Sequence, residues 1–149
     1  MPHVLIVGYG NPLRGDDGLG WRVTERLREL VHDPAVEILT LHQLTPELMD
    51  PVSRARRVIF IDACTGGNPG EIRERAVAPD SAAHAAGAAF THHATPEALL
   101  AGARALYGRA AEAWMISVTG ADFSLSAELS PAVSGRLEQV VAAVLRLAG

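Results

Sequence analysis

Two adjacent carboxylates, Asp16 and Asp17, close a glycine-rich stretch, GYGNPLRGDDGLG, that follows directly on the apolar run HVLIVG. A glycine-rich turn between a strand and a helix ordinarily receives a phosphate, yet neither common phosphate pattern fits. The G-x-G-x-x-G fingerprint begins at Gly8 and Gly10, but its third position holds Leu13. The P-loop spacing is met by Gly10 and Gly15, but Asp16 and Asp17 occupy the lysine and hydroxyl positions. A carboxylate there repels the phosphate that a lysine would neutralise. Capping of the following helix accounts for one aspartate. Two beside a glycine turn point to a cation or a positively charged group.

Further polar groups fall after other apolar segments. Asp62 closes the run IFID, His42 follows VEILTL, and His92 and His93 precede the Thr95-Pro96-Glu97 helix start. Carboxylates with an imidazole make a mixed oxygen and nitrogen set, suited to a borderline divalent ion such as nickel, zinc or cobalt rather than calcium or magnesium. Three such ligands leave a position open for water or a substrate group. No G-x-S-x-G elbow occurs, and the lone Cys64 reads as filler at a strand end rather than a nucleophile.

The elements that must position these groups are legible from hydrophobic periodicity. Val4–Val7, residues 36–41 and residues 57–63 read as strands, the last being the most apolar segment. Leu19, Val23, Leu27, Leu30 and Val31 recur at helical spacing. Thr45-Pro46-Glu47 and Thr95-Pro96-Glu97 both carry an N-cap, a proline at the first helical position and an acidic first turn. The apolar face of the second of these helices is predicted as Leu99, Leu100, Ala103, Leu106 and Tyr107. Residues 71–77 alternate as an exposed edge strand, 78–90 read as a loop, and EAWMISVTG is a further strand. A terminal helix begins at Ser130-Pro131, with Val133, Leu137, Val140, Val141, Val144 and Leu145 on one stripe. Strands alternating with helices predict an α/β three-layer sandwich: a twisted, mostly parallel sheet with helices on both faces, forming one domain over 1–149. In such folds the loops at the carboxyl ends of the strands line the functional crevice.

Composition narrows the partners. Of 149 residues, 17 are acidic and 13 basic, a formal charge of −4, and every basic residue is arginine. No basic block suggests nucleic acid or an acidic membrane surface. A single cysteine excludes a disulfide framework and suits a reducing compartment, and no apolar run approaches a membrane span. A cytoplasmic protein is expected.

The segments LIVGYGNPLRGDDGLGWRV, RVIFIDACTGGNPGEI, THHATPEALLAGARALYG and ISVTGADFSLSAELSPAV together resemble the maturation endopeptidases of [NiFe]-hydrogenases over nearly the whole chain. The most diagnostic feature is G-x-G-N followed by D-[DE]-G-x-G. The resemblance implies a protease that removes a C-terminal extension from the hydrogenase large-subunit precursor once nickel has been inserted. It implies Asp17, Asp62 and His93 as the metal-contacting residues, with nickel supplied by the substrate and zinc or cadmium able to occupy the site in vitro. Gly8 and Gly10 are expected to admit close approach of the substrate backbone, and Asn11 to fix the loop or bind substrate. Asp16 is the catalytic candidate, as a base behind the metal ligands or as a partner of Arg14. Many family members carry an acidic, glycine-rich turn after the second strand. This chain has TLHQLTPEL there, so His42 and Gln43 are expected at the mouth as selectors of the precursor. Two other readings of the same residues are a hydrolase with its own resident metal and a non-catalytic chaperone of a metalloprotein tail.

Overall fold

The computed structural model describes residues 3–80 and 94–149. Five strands form one sheet: β1 (Val4–Tyr9), β2 (Val36–Leu41), β3 (Arg57–Cys64), β4 (Ile72–Val77) and β5 (Glu112–Thr119). Their spatial order is β2-β1-β3-β5-β4; every neighbouring pair is parallel except β4 with β5. The helices are α1 (Leu19–Leu30), α2 (Met49–Arg54), α3 (Pro96–Tyr107), α4 (Pro131–Ser134) and α5 (Leu137–Ala148), with 3₁₀ turns at Gly15–Gly18 and Pro46–Leu48.

Continuous apolar strands are required where a sheet is covered on both faces, and alternate residues here feed two cores. Val4, Ile6, Ile59, Ile61, Ile116 and Val118 pack under α1 and α5. Leu5, Val7, Val58, Phe60, Ala113 and Met115 pack under α2 and α3. The expected three-layer sandwich and its mostly parallel sheet are therefore present. The edge strand over 72–77 is present too, its Glu74 and Arg75 paired with Arg146 and Glu97.

Several local expectations change. Leu30, Leu106 and Tyr107 are 44%, 69% and 50% exposed. They occupy the last turns of α1 and α3, where helical spacing persists but the apolar surface beneath does not. The terminal helix is two pieces, α4 and α5, separated at Gly135 and Arg136, and Leu145 is exposed at 38%. Thr45 gives no side-chain cap; its segment opens with a 3₁₀ turn before α2. Thr95 does cap α3, accepting from the Ala98 amide. The predicted loop over 78–90 and the histidines His92 and His93 fall largely outside the described residues.

The order of strands reverses between β1 and β3, because the chain leaves β1 toward β2 and then returns to the other side of β1. A reversal of this kind separates the loops at the carboxyl ends of the two strands and leaves a crevice between them. Close packing of α1 on β1 fixes the first of these loops. A Cβ on Gly8 would collide with the Gly20 carbonyl oxygen, and one on Gly20 would come within 2.6 Å of the Tyr9 nitrogen. Gly8 therefore admits the protein's own helix.

Candidate functional site

The crevice lies at the carboxyl ends of β1, β2 and β3 and has a volume of about 290 Å³. Gly10 and Asp17 from the β1 loop, His42 and Gln43 from the β2 loop, and Asp62 from β3 all line it. Strand parity explains why Asp62 faces this way. It follows Val58 and Phe60 on the α2 and α3 side of the sheet, and it sits where the apolar run gives out.

Asp16 and Asp17 are neighbours in sequence with opposite fates. Asp16 is completely buried. Its carboxylate accepts from the amides of Ala121 (2.7 Å), Asp122 (3.0 Å) and Ser130 (2.7 Å) and from the Ser130 hydroxyl (2.8 Å). Burial alone would raise its pKa, but the bonds from Ser130, Ala121 and Asp122 outweigh it and hold the group below the ordinary aspartate value. A carboxylate so committed has no free lone pair directed at a substrate, and Arg14 is not among its partners. The expectation of Asp16 as a base is replaced by a role in joining the loop after β1 to the loop after β5. Backbone bonds run alongside, from Gly15 to Ser126 O, Asp16 to Asp122 O and Ser126 to Leu13 O.

Asp17 instead reaches the crevice. One of its oxygens accepts from the Asn11 amide at 2.7 Å, while the Asn11 side chain accepts from the Leu13 amide at 2.9 Å. Asn11 thus acts as an Asx turn that shapes the loop around Asp17. Gly10 is needed for the same geometry: its φ is +139°, and a Cβ there would strike the Asp17 carbonyl oxygen. On the other side, the Trp21 indole donates to the carbonyls of Gly10 (2.8 Å) and Leu41 (3.2 Å) and stacks edge-on with His42 at 5.0 Å. One tryptophan therefore ties the β1 and β2 loops together and orients the imidazole at the mouth.

Asp62 is held with its pKa raised to about 7, first by burial and then by the charge of Asp17. Bonds from the Ala63 amide (2.8 Å) and from the Tyr9 hydroxyl oppose this without cancelling it. The Tyr9 phenol is itself pushed well up, by burial first and then by the charge of Asp62. Two acidic groups thus share a partly dry crevice. Among the described residues no cluster of three or more His, Cys, Asp or Glu side chains is placed to hold a metal ion. Asp17 and Asp62 bring two carboxylates to one crevice, and His93, the third residue expected beside them, lies outside the described residues. Cys64 contacts the Thr119 hydroxyl at 3.6 Å and does not line the crevice.

Tyr9 is the crevice residue that the motif G-x-G hides. Its parity with Leu5 and Val7 places it on the crevice side of β1, and that signal is present in the sequence. Leu44, Thr45, Pro46 and Ala94 also line the crevice, but nothing in their types distinguishes them from ordinary loop residues.

Fold and site define a three-layer α/β domain with an acidic crevice at its strand reversal. A family model described as HycI, hydrogenase maturation protease, matches residues 21–147, and the chain belongs to that family. The matched span begins just after the loop that carries Asp16 and Asp17. Solved structures extend the likeness across that loop. The hydrogenase maturating endopeptidase HybD from E. coli is 24% identical, with 97% of this chain and 91% of that one covered at a TM-score of 0.77. The [NiFe] hydrogenase maturation protease HycI from Thermococcus kodakarensis KOD1 is 26% identical, with 98% and 92% covered at 0.76. A hydrogenase 2 maturation peptidase from Thaumarchaeota archaeon SCGC_AB-539-E09 is 24% identical, with 99% and 98% covered at 0.72. No curated protein sequence matches. Among the described residues, no helix is long and apolar enough to cross a membrane.

Proposed function

We propose that the protein is the endopeptidase that removes the C-terminal extension of a [NiFe]-hydrogenase large-subunit precursor after nickel has been inserted. The observation that carries this reading is the Asp17 and Asp62 pair. Two carboxylates from different strand ends converge on one crevice, and the proton affinity of the buried one is raised partly by the charge of the other. Such a pair is strained by like charge and relieved by a divalent cation.

The nickel belongs to the substrate. Asp17 and Asp62 would contact it from the protease side, with His93 supplying the nitrogen ligand, so an ion already held by the precursor completes the site. A mixed oxygen and nitrogen set of three, open on one side, suits recognition of a delivered ion better than permanent retention of one. Zinc or cadmium would occupy the same ligands in vitro. With a cation present, Asp62 would bind it as the carboxylate. Tyr9 then holds the orientation of Asp62 through its hydroxyl bond, and Asn11 holds that of Asp17. His42 and Gln43, at the mouth, would contact the precursor chain leading to the metal.

The test compares nickel-loaded and nickel-free precursor with purified protease, following the shortening of the large subunit on a gel. Processing is expected only with nickel present. Equal shortening of both forms would refute the sensing role.

A further inference from the structure

His42 is an exposed residue lining the crevice, outside both apolar cores, yet its ring is held in place. The imidazole meets the Trp21 indole edge-on, with ring centres 5.0 Å apart and an interplanar angle of 62°. Neither ring nitrogen has a hydrogen-bond partner among the described residues. Histidine is commonly oriented by a bond to one of its two nitrogens. Here an aromatic contact takes that place, which leaves one donor and one acceptor of a neutral imidazole open on a residue of the crevice.

Trp21 is itself fixed. It stands in the first turn of α1, and its indole N–H donates to the carbonyls of Gly10 at 2.8 Å and Leu41 at 3.2 Å. The Gly10 amide donates to the same Leu41 carbonyl at 3.1 Å. Leu41 directly precedes His42, so the bond that locks the indole also locks the backbone from which the imidazole rises. Indole, peptide and imidazole thus form a closed ring of contacts at the end of β2. Ordering an exposed side chain costs rotamer freedom, and the fold regains little from it where the side chain joins no core. The same ordering lowers the cost that a ligand would otherwise meet on binding.

We propose that Trp21 is a positioning residue that presents His42 to the precursor, and that His42 hydrogen-bonds a peptide group of the segment entering the crevice. This rests on the function proposed above and extends it to how the substrate is held. A peptide group carries one acceptor and one donor, and a neutral imidazole can meet either. The Asp17 side of the crevice has supports of its own in Asn11 and in the bonds around Asp16, so loss of the indole falls first on His42.

The test is a double-mutant cycle of Trp21→Phe and His42→Ala in the full chain, each variant checked by thermal melting. KM and kcat are measured with nickel-loaded precursor. His42→Ala is expected to raise KM by about fivefold to tenfold, the worth of one net hydrogen bond. Trp21→Phe should raise KM by about threefold through lost ordering, with kcat falling less than KM rises in both. In the His42→Ala background the Trp21→Phe effect should vanish. Effects that multiply would show that Trp21 acts on the fold and not through His42, and an unchanged KM in His42→Ala would remove the contact; either result overturns the proposal and leaves the activity standing. If the wild type binds precursor without shortening it, the activity is wrong and the cycle is read in Kd. A second measurement needs no change at Trp21: protease labelled with 5-fluorotryptophan gives a fluorine resonance for each of its two tryptophans, assigned with Trp114→Phe. Trp114 packs on the core under α5 and serves as the control. Bound nickel-loaded precursor should move the Trp21 resonance and not that of Trp114, and a bound precursor that moves neither overturns the proposal.

Discussion

Asp16 and Asp17 share a turn and a charge, yet the molecule treats them as opposites. Asp16 enters the protein, accepts four hydrogen bonds and is stabilised as an anion. Asp17 stays at the crevice, where its charge raises the pKa of Asp62. The difference lies in the donors each meets. The loop after β5 turns three amides and a hydroxyl toward Asp16, whereas Asp17 meets one amide and another carboxylate. An anion surrounded by donors builds structure, and an anion facing an anion raises its neighbour's proton affinity. The adjacency has a geometric consequence, since the buried member fixes where the crevice member points.

Breaking the buried member should have the largest effect. Asp16→Ala leaves buried amides at Ala121, Asp122 and Ser130 without an acceptor. Losing several bonds to one buried charge costs about 3–5 kcal/mol, readable as a fall in the urea midpoint at constant slope. Asp16→Asn should recover part of the loss, because one side-chain oxygen still accepts. If Asp16→Ala unfolds at the wild-type midpoint, the joining role is wrong.

The crevice member should show the reverse pattern. Asp17→Asn is expected to melt within a degree or two of wild type, while processing of nickel-loaded precursor falls at least a hundredfold, about 2.7 kcal/mol of transition-state stabilisation. Undiminished kcat/KM in this variant would remove Asp17 from the site.

Much of this arrangement is written in the sequence, and the rest is not for identifiable reasons. Strands covered on both faces must be continuously apolar, so β1, β3 and β5 can be read directly, and their alternation with helices dictates the sandwich. Asp62 is legible because an acid interrupts the most apolar run. What periodicity cannot report is where a covering layer ends, which is why Leu106 and Tyr107 continue a stripe into water. Nor can local pattern separate Asp16 from Asp17, because the donors that distinguish them lie more than a hundred residues away. Nor does it announce the neighbour of Gly8, whose missing side chain is filled by Gly20 of the same chain.

Acidity offers a sharper version of the comparison. Asp62 has a folded pKa of about 7 against an ordinary 3.8, so the folded state holds its proton more tightly than the unfolded chain. Its contribution to stability is complete below about pH 3.8 and is lost as pH rises through about 7. Asp16 runs the other way, its contribution present at neutral pH and lost as pH falls below the ordinary aspartate range. Asp62→Asn should therefore raise the unfolding free energy by about 1–2 kcal/mol at pH 8, a value discounted for water in the crevice, and by almost nothing at pH 4. Denaturant titrations at the two pH values decide this, and an equal change at both would show that the buried charge is not the cause.

The smallest expected effect tests the link between the two aspartates. Asn11 fixes the turn through its side chain, which binds the Leu13 amide, while its backbone amide binds Asp17. Asn11→Ala removes the first bond directly and leaves the second formally possible but less well held. Losing one exposed side-chain bond costs about 0.5–1 kcal/mol, a shift of a few degrees in Tm. Because the loop around Asp17 then samples more positions, KM for nickel-loaded precursor should rise several-fold while the Asp16 connection to the β5 loop stays intact. Asn11→Ser, whose hydroxyl can accept from the same amide more weakly, should fall between. A fall in Tm without any change in KM would mean that the turn supports the fold and that Asp17 keeps its position without it.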